Sequence, residues 1–112
     1  MAFVTPPRDE LIATLLNLER PIAARMRAIF YLRSQEEHRA ENTAVLCKAL
    51  RDGRGTALFR HEIAYVLGQM QEELAIDDLS AVLRDTKDDV VVRHEVRARA
   101  GLRANCPRWA PA

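Results

Sequence analysis

The chain has 112 residues, of which 48% are hydrophobic, and this is enough for one domain with one modest core. Its 17 Lys and Arg nearly balance 16 Asp and Glu, so the formal net charge of +1 excludes a broad field for nucleic acid or anionic lipid. Cys47 and Cys106 suggest no disulfide framework, and no apolar run approaches the roughly 18 residues of a membrane span. We therefore expect a soluble cytoplasmic protein with reduced thiols and no nucleic-acid or membrane partner.

Helix-forming residues dominate the chain. Leu, Ala, Arg and Glu recur with helical spacing, whereas glycine and aromatic residues are scarce. The polar stretch SQEEHRAEN is predicted as a connector with His38 as a solvated loop residue. In chain order the pattern predicts six helices, over residues 9–18, 22–34, 43–50, 58–70 and 75–83, and from about residue 91 onward.

The second and third parts of the chain repeat each other. The segment KALRDGRGTALFRHEIAYVLGQ aligns with AVLRDTKDDVVVRHEVRARAGL at a constant offset of 33 residues, which places His61 and Glu62 on His94 and Glu95. A weaker copy, RMRAIFYLR, aligns with RHEIAYVLG at an offset of 35 and has no His-Glu pair. Such internal repetition is typical of solenoid proteins.

Three helical hairpins at this period predict an all-α, HEAT-like (E-Z type) solenoid, in which each hairpin buries its apolar face against its neighbours. The repeat domain is expected over residues 1–104, with hairpins near 8–34, 38–70 and 74–104. The remaining residues, 105–112, are expected to form a disordered tail.

The two His-Glu pairs are the candidate functional residues. Equivalent positions of successive repeats share one surface about 10 Å apart, so His61 and His94 are expected to be neighbours. Two histidines with one carboxylate can form the facial triad of ferrous sites that activate dioxygen, and the same ligand types suit zinc. One His-Glu dipeptide alone would be chance or polar surface, but two in register favour a metal site. Either carboxylate could instead hold a cationic substrate.

An arginine precedes each histidine. Arg60 and Arg93 could orient a carboxylate ligand from a second layer around a metal, or they could face solvent as arginines at helix starts commonly do. The sequence leaves both alternatives open.

The runs LFRHEIAYVLGQMQ and LSAVLRDTKDDVVVRHE resemble the N-terminal half of deoxyhypusine hydroxylase, and the resemblance extends from about Leu11 to Glu95. It implies HEAT-like repeats in two related halves, each with two His-Glu motifs, that face each other across a di-iron site. It also implies a monooxygenase that uses Fe(2+) and dioxygen to hydroxylate the deoxyhypusine residue of the translation initiation factor 5A precursor to hypusine.

Carried over by motif, the metal residues would be His61, Glu62, His94 and Glu95. The resemblance makes the two histidines and Glu95 the better ligands. It assigns Glu62 a catalytic role, in which its carboxylate steers the substrate amine.

The sequence departs from the family pattern after Glu95, where it reads VRARAGLRANCPRWAPA and carries only half of the expected His-Glu motifs. We therefore expect that an active assembly needs a second copy or a complementary half, and an inactive fragment is an alternative. The rival class is a non-catalytic HEAT-repeat interaction module in which the His-Glu pairs are relics. Metal binding would distinguish the enzyme-derived site from the module.

Overall fold

A computed structural model describes residues 5–52, 54–85 and 87–100, with side chains of the last helix described as far as Val96. Within these ranges the chain forms no strand, and the predicted all-α class is confirmed. Short 3₁₀ turns at Glu36–His38 and Glu73–Ala75 precede the third and fifth helices. The α-helices are α1 (Arg8–Leu16), α2 (Ile22–Ser34), α3 (Arg39–Asp52), α4 (Ala57–Met70), α5 (Ile76–Arg84) and α6 (Val90–Ala100).

The helices pair into three stacked hairpins. Helices α1 and α2, α3 and α4, and α5 and α6 contact each other in turn, and the second helices α2, α4 and α6 stack side by side. The first helices of the hairpins form the other layer, in which α3 contacts both α1 and α5. Because each hairpin packs on the next one, the molecule is the HEAT-like solenoid expected from the repeats.

Helix α4 is the centre of the stack, since it contacts α2, α3 and α6. Its apolar side chains are buried on most of its circumference, as expected for a helix with neighbours on three sides. The buried hydrophobic residues of α4 are Phe59, Ile63, Ala64, Val66, Leu67 and Met70. This packing holds the predicted site residues of α4 in a rigid element.

One arginine in the second helix of each hairpin binds a backbone carbonyl near the end of the first helix. The carbonyls at a helix C-terminus have no partner within the helix, and a guanidinium can satisfy them. The nitrogen to oxygen distances lie between 2.9 and 3.2 Å, and the partners are ten residues apart in every hairpin. The three pairs are Arg25 with Leu15, Arg60 with Leu50 and Arg93 with Leu83.

This contact gives a structural role to the two arginines that precede the histidines, for which the sequence left two alternatives open. Arg60 is buried, so the solvated alternative is wrong for it. The guanidinium of Arg93 binds the preceding helix of its own hairpin, whereas that of Arg60 binds the preceding helix through Nε and the next repeat through its two terminal nitrogens.

Helix α3 begins earlier than predicted, at Arg39 and not at Thr43, so the connector expected over SQEEHRAEN is wrong for its second half. The cause is a buried amide. Asn42 is fully buried, and its side chain donates hydrogen bonds to the carbonyl of Leu32 and to the side chain of Gln35. A polar residue in this position interrupts the apolar pattern in the sequence, although it packs inside the molecule.

Some expectations fall outside the described residues. They concern the end of the third hairpin near residue 104, the tail 105–112 and Cys106. Among the helices of the described ranges, none combines the length and apolarity needed to pass through a bilayer.

Candidate metal and substrate site

The two second helices that carry the His-Glu pairs begin at equivalent caps. Thr56 caps α4 by accepting a hydrogen bond of 3.2 Å from the backbone N–H three residues later. Asp89 stands at the same position before α6 and accepts one of 2.8 Å from the backbone N–H of Val91. Side-chain oxygens at this position satisfy free N–H groups of the first turn. Because each histidine follows its cap by five residues, His61 and His94 occupy equivalent positions in their helices.

The structure brings one histidine and one glutamate together across the two repeats. The Nε2 atom of His61 on α4 lies 3.1 Å from the Oε2 atom of Glu95 on α6. Glu95 is buried, at 8% exposure, whereas the side chain of His61 keeps 30% of its exposure. A buried carboxylate requires a partner, and the imidazole provides one from the neighbouring repeat.

The donor set and spacing of this pair fit a metal ion. Imidazole nitrogen and carboxylate oxygen bind zinc at about 2.0–2.2 Å, and two such donors at the tetrahedral angle that zinc prefers lie roughly 3.4 Å apart. The 3.1 Å separation of His61 and Glu95 is close to that value and is also the distance of a hydrogen bond between the two side chains. Ferrous iron favours the same imidazole and carboxylate ligands, so the pair can supply two ligands to one ion.

Glu62 lies on the other side of the His61 ring. Its Oε1 atom is 3.9 Å from Nδ1 of His61, which is too long for a hydrogen bond. The carboxylate of Glu62 is therefore separate from the Nε2 atom that meets Glu95. With 29% of its side chain exposed, Glu62 can accept a cationic group from solution.

His94 is exposed on α6. Within the described part of the chain, no three His, Cys, Asp or Glu side chains converge in a group that could hold a metal ion. His94 therefore does not complete a triad with His61 and Glu95 in this arrangement. The predicted metal site therefore stays a prediction for its four residues, His61, Glu62, His94 and Glu95. Of these residues, His61 and Glu95 are in direct contact.

A second contact between the same two repeats involves the run RDTKDD and was not predicted from the sequence. Arg60 donates two hydrogen bonds, of 2.5 and 2.7 Å, to the two carboxylate oxygens of Asp88. The repeat alignment could not reveal this pair, because Asp88 aligns with Gly55. These hydrogen bonds hold the pKa of Asp88 below its ordinary value and raise that of Arg60.

Comparison with known proteins identifies relatives for most of the chain. No family model matches it. It is 44% identical to the deoxyhypusine hydroxylase of Cryptococcus neoformans over 91 residues, which cover 81% of this chain and 25% of the relative. It is 43% identical to that of Bos taurus and 41% identical to that of Homo sapiens, and each match covers 86% of this chain and 32% of the relative.

The fold gives the same result. A solved structure of human deoxyhypusine hydroxylase in complex with glycerol matches 92% of this chain with a TM-score of 0.78 and 38% sequence identity, and the match covers 34% of that chain. The resemblance inferred from the His-Glu repeats is therefore confirmed in sequence and in fold. The chain spans about a quarter to a third of the relatives it matches.

Proposed function

We propose that this chain, a homologue of part of deoxyhypusine hydroxylase, supplies one half of an iron- and dioxygen-dependent hydroxylation site. The observation that carries the proposal is the 3.1 Å contact between His61 and Glu95 across two repeats. Imidazole and carboxylate are the ligand types of ferrous sites that activate dioxygen, and both repeats carry them in register.

In this proposal His61 and Glu95 would hold the iron, and His94, exposed on α6, would be a further ligand. Ferrous iron with open coordination positions supplies the activation of dioxygen. The protein positions the ligands of the iron. Helices α4 and α6 fix the two donor atoms, and the burial of Glu95 keeps water away from its carboxylate.

Glu62 is proposed to bind the substrate amine. The protein substrate would be the deoxyhypusine-bearing precursor of translation initiation factor 5A, and its side chain carries cationic amines. The half-exposed carboxylate of Glu62 lies on the opposite side of the His61 ring from Glu95, so it can attract an ammonium group beside the metal pair without competing for it. The proposed location is the cytoplasm, where translation factors are made and used.

The di-iron site of the complete family would require residues beyond this set. A second copy of the chain or a complementary half is the proposed partner, facing the surface that carries His61 and Glu62.

The test is the iron content of protein purified without oxygen, measured by elemental analysis. We expect stoichiometric iron in the wild type and its loss in the His61→Ala, His94→Ala double variant. His38→Ala is the matched control, because His38 is a half-exposed histidine that pairs with Glu41 of its own hairpin, and this variant should retain iron. Wild-type protein without iron would contradict the proposal and favour the non-catalytic repeat module. Iron binding would justify an assay of deoxyhypusine hydroxylation with a complementary half.

A further inference from the structure

The Arg60–Asp88 ion pair joins the two repeats that carry the candidate site. Both side chains are largely buried, with 7% exposure for Arg60 and 12% for Asp88. Arg60 directly precedes His61 on α4. Asp88 directly precedes Asp89, the cap of α6, and accepts a hydrogen bond of 2.7 Å from its backbone N–H. A continuous set of hydrogen bonds therefore connects the helix of His61 to the start of the helix of Glu95.

Arg60 differs in this respect from the equivalent arginines of the other hairpins. Arg25 and Arg93 each place two guanidinium nitrogens on the carbonyl of their own hairpin. Arg60 uses only Nε for the carbonyl of Leu50, at 2.9 Å, and both terminal nitrogens for Asp88. Like the other two arginines, Arg60 therefore binds the first helix of its own hairpin, and in addition it binds the next repeat.

We propose that Arg60 and Asp88 are positioning residues, which set the relative placement of α4 and α6 so that Nε2 of His61 meets Oε2 of Glu95. A bidentate arginine–carboxylate pair is stronger and more restrictive in geometry than a single hydrogen bond. It acts here at the point where α6 begins. Since Glu95 is six residues along that helix, a small displacement or rotation of the start of α6 moves its carboxylate relative to the imidazole.

The consequence of this inference for metal binding rests on the proposed function, but the placement of the two side chains does not. The experiment therefore has two measurements. The first is a nuclear Overhauser effect between the ring protons of His61 and the side-chain protons of Glu95 in metal-free protein. The second is the dissociation constant for Co²⁺, used as a coloured probe for the iron site.

Asp88→Asn removes the charge and one of the two acceptor oxygens. We expect the His61–Glu95 Overhauser effect to disappear and the Co²⁺ affinity to fall by about 10- to 100-fold, as for other groups that orient metal ligands. Asp88→Glu keeps the carboxylate and should preserve most of both. The helical content from circular dichroism identifies a variant that has unfolded. If Asp88→Asn unfolds, the test compares Asp88→Glu with Arg60→Lys. Of these two variants, Arg60→Lys loses the bidentate geometry and Asp88→Glu keeps it.

The matched control is Asp78→Asn. Asp78 accepts a hydrogen bond of 3.0 Å from Arg51, and this exposed pair joins α5 to α3 in the other layer of the same two repeats. The control should change neither measurement by more than about twofold. An Overhauser effect that persists in Asp88→Asn would overturn the inference. If the wild type binds no Co²⁺, the proposed function fails, and the Overhauser effect alone decides whether Arg60 and Asp88 position the pair.

Discussion

Burial determines the chemistry of Cys47 on α3. The thiol is 3% exposed, and the loss of solvation, reinforced by the nearby Asp78 carboxylate, raises its pKa to about 12. The thiolate is the reactive form, and at pH 8 its fraction would be roughly 10⁻⁴, compared with about 0.2 for an ordinary cysteine. Cys47 is therefore a packing residue in the folded protein.

We predict that Cys47 in a Cys106→Ser background reacts with a thiol reagent at pH 8 at least about a thousandfold more slowly in the native state than in urea. The Cys106→Ser substitution ensures that the absorbance of the released chromophore reports on Cys47 alone. Equal rates in the native and unfolded states would show that the thiol is accessible and ionised, in conflict with its burial.

At the scale of the helices, the arginine that closes each hairpin should contribute measurably to the free energy of unfolding. Arg25 is buried, donates two hydrogen bonds to the carbonyl of Leu15 and stacks at 4.0 Å over the ring of Phe59 in the next repeat. We expect Arg25→Met to lower the free energy of unfolding by about 2 kcal/mol, because hydrogen bonds from a charged group and a cation–π contact are lost while much of the apolar packing is kept.

Arg27 offers the control, since it is exposed on the same helix and Arg27→Met should change stability by less than about 0.5 kcal/mol. Urea denaturation followed by circular dichroism measures both variants. A similar stability for Arg25→Met and the wild type would mean that the guanidinium does not stabilise the end of α1.

At the scale of the whole molecule, the second and third repeats are coupled by a buried ion pair whose strength depends on pH. Arg60 holds the pKa of Asp88 in the folded protein below its unfolded value of about 3.9. A depressed pKa contributes stability that is complete above the unfolded pKa, and this contribution is lost as the pH falls through the lower pKa of the folded state. The wild type should therefore lose this contribution to stability as the pH falls below the unfolded pKa of about 3.9.

We predict that Asp88→Asn costs about 2–3 kcal/mol at pH 7, because one partner of a buried pair is lost. The difference from the wild type should shrink as the pH falls, since protonated Asp88 resembles the neutral amide. Urea unfolding curves at a series of pH values test this expectation. A difference that stays constant down to pH 2 would exclude titration of Asp88 as its source.

Much of the architecture could be predicted from local pattern. The apolar periodicity of α2 and α4 and the constant offset between the His-Glu pairs both reflect which residues must face a neighbouring helix. The start of α3 could not be predicted in this way. Asn42 can be buried because its side-chain amide donates hydrogen bonds to Leu32 and Gln35. The sequence alone does not reveal these partners, because they meet Asn42 only when the chain is folded.

The sequence by itself determined the helical class, the stacking of repeats and the equivalence of His61 with His94, because a repeat offset assigns the same place in each hairpin. Only the tertiary structure decided that His61 meets Glu95 and not His94. Adjacent residues on a helix point about 100° apart, so the tilt and rotation between α4 and α6 select which side chain of the second pair faces the first. That orientation depends on packing and on cross-repeat contacts such as Arg60 with Asp88, which no spacing in the sequence encodes.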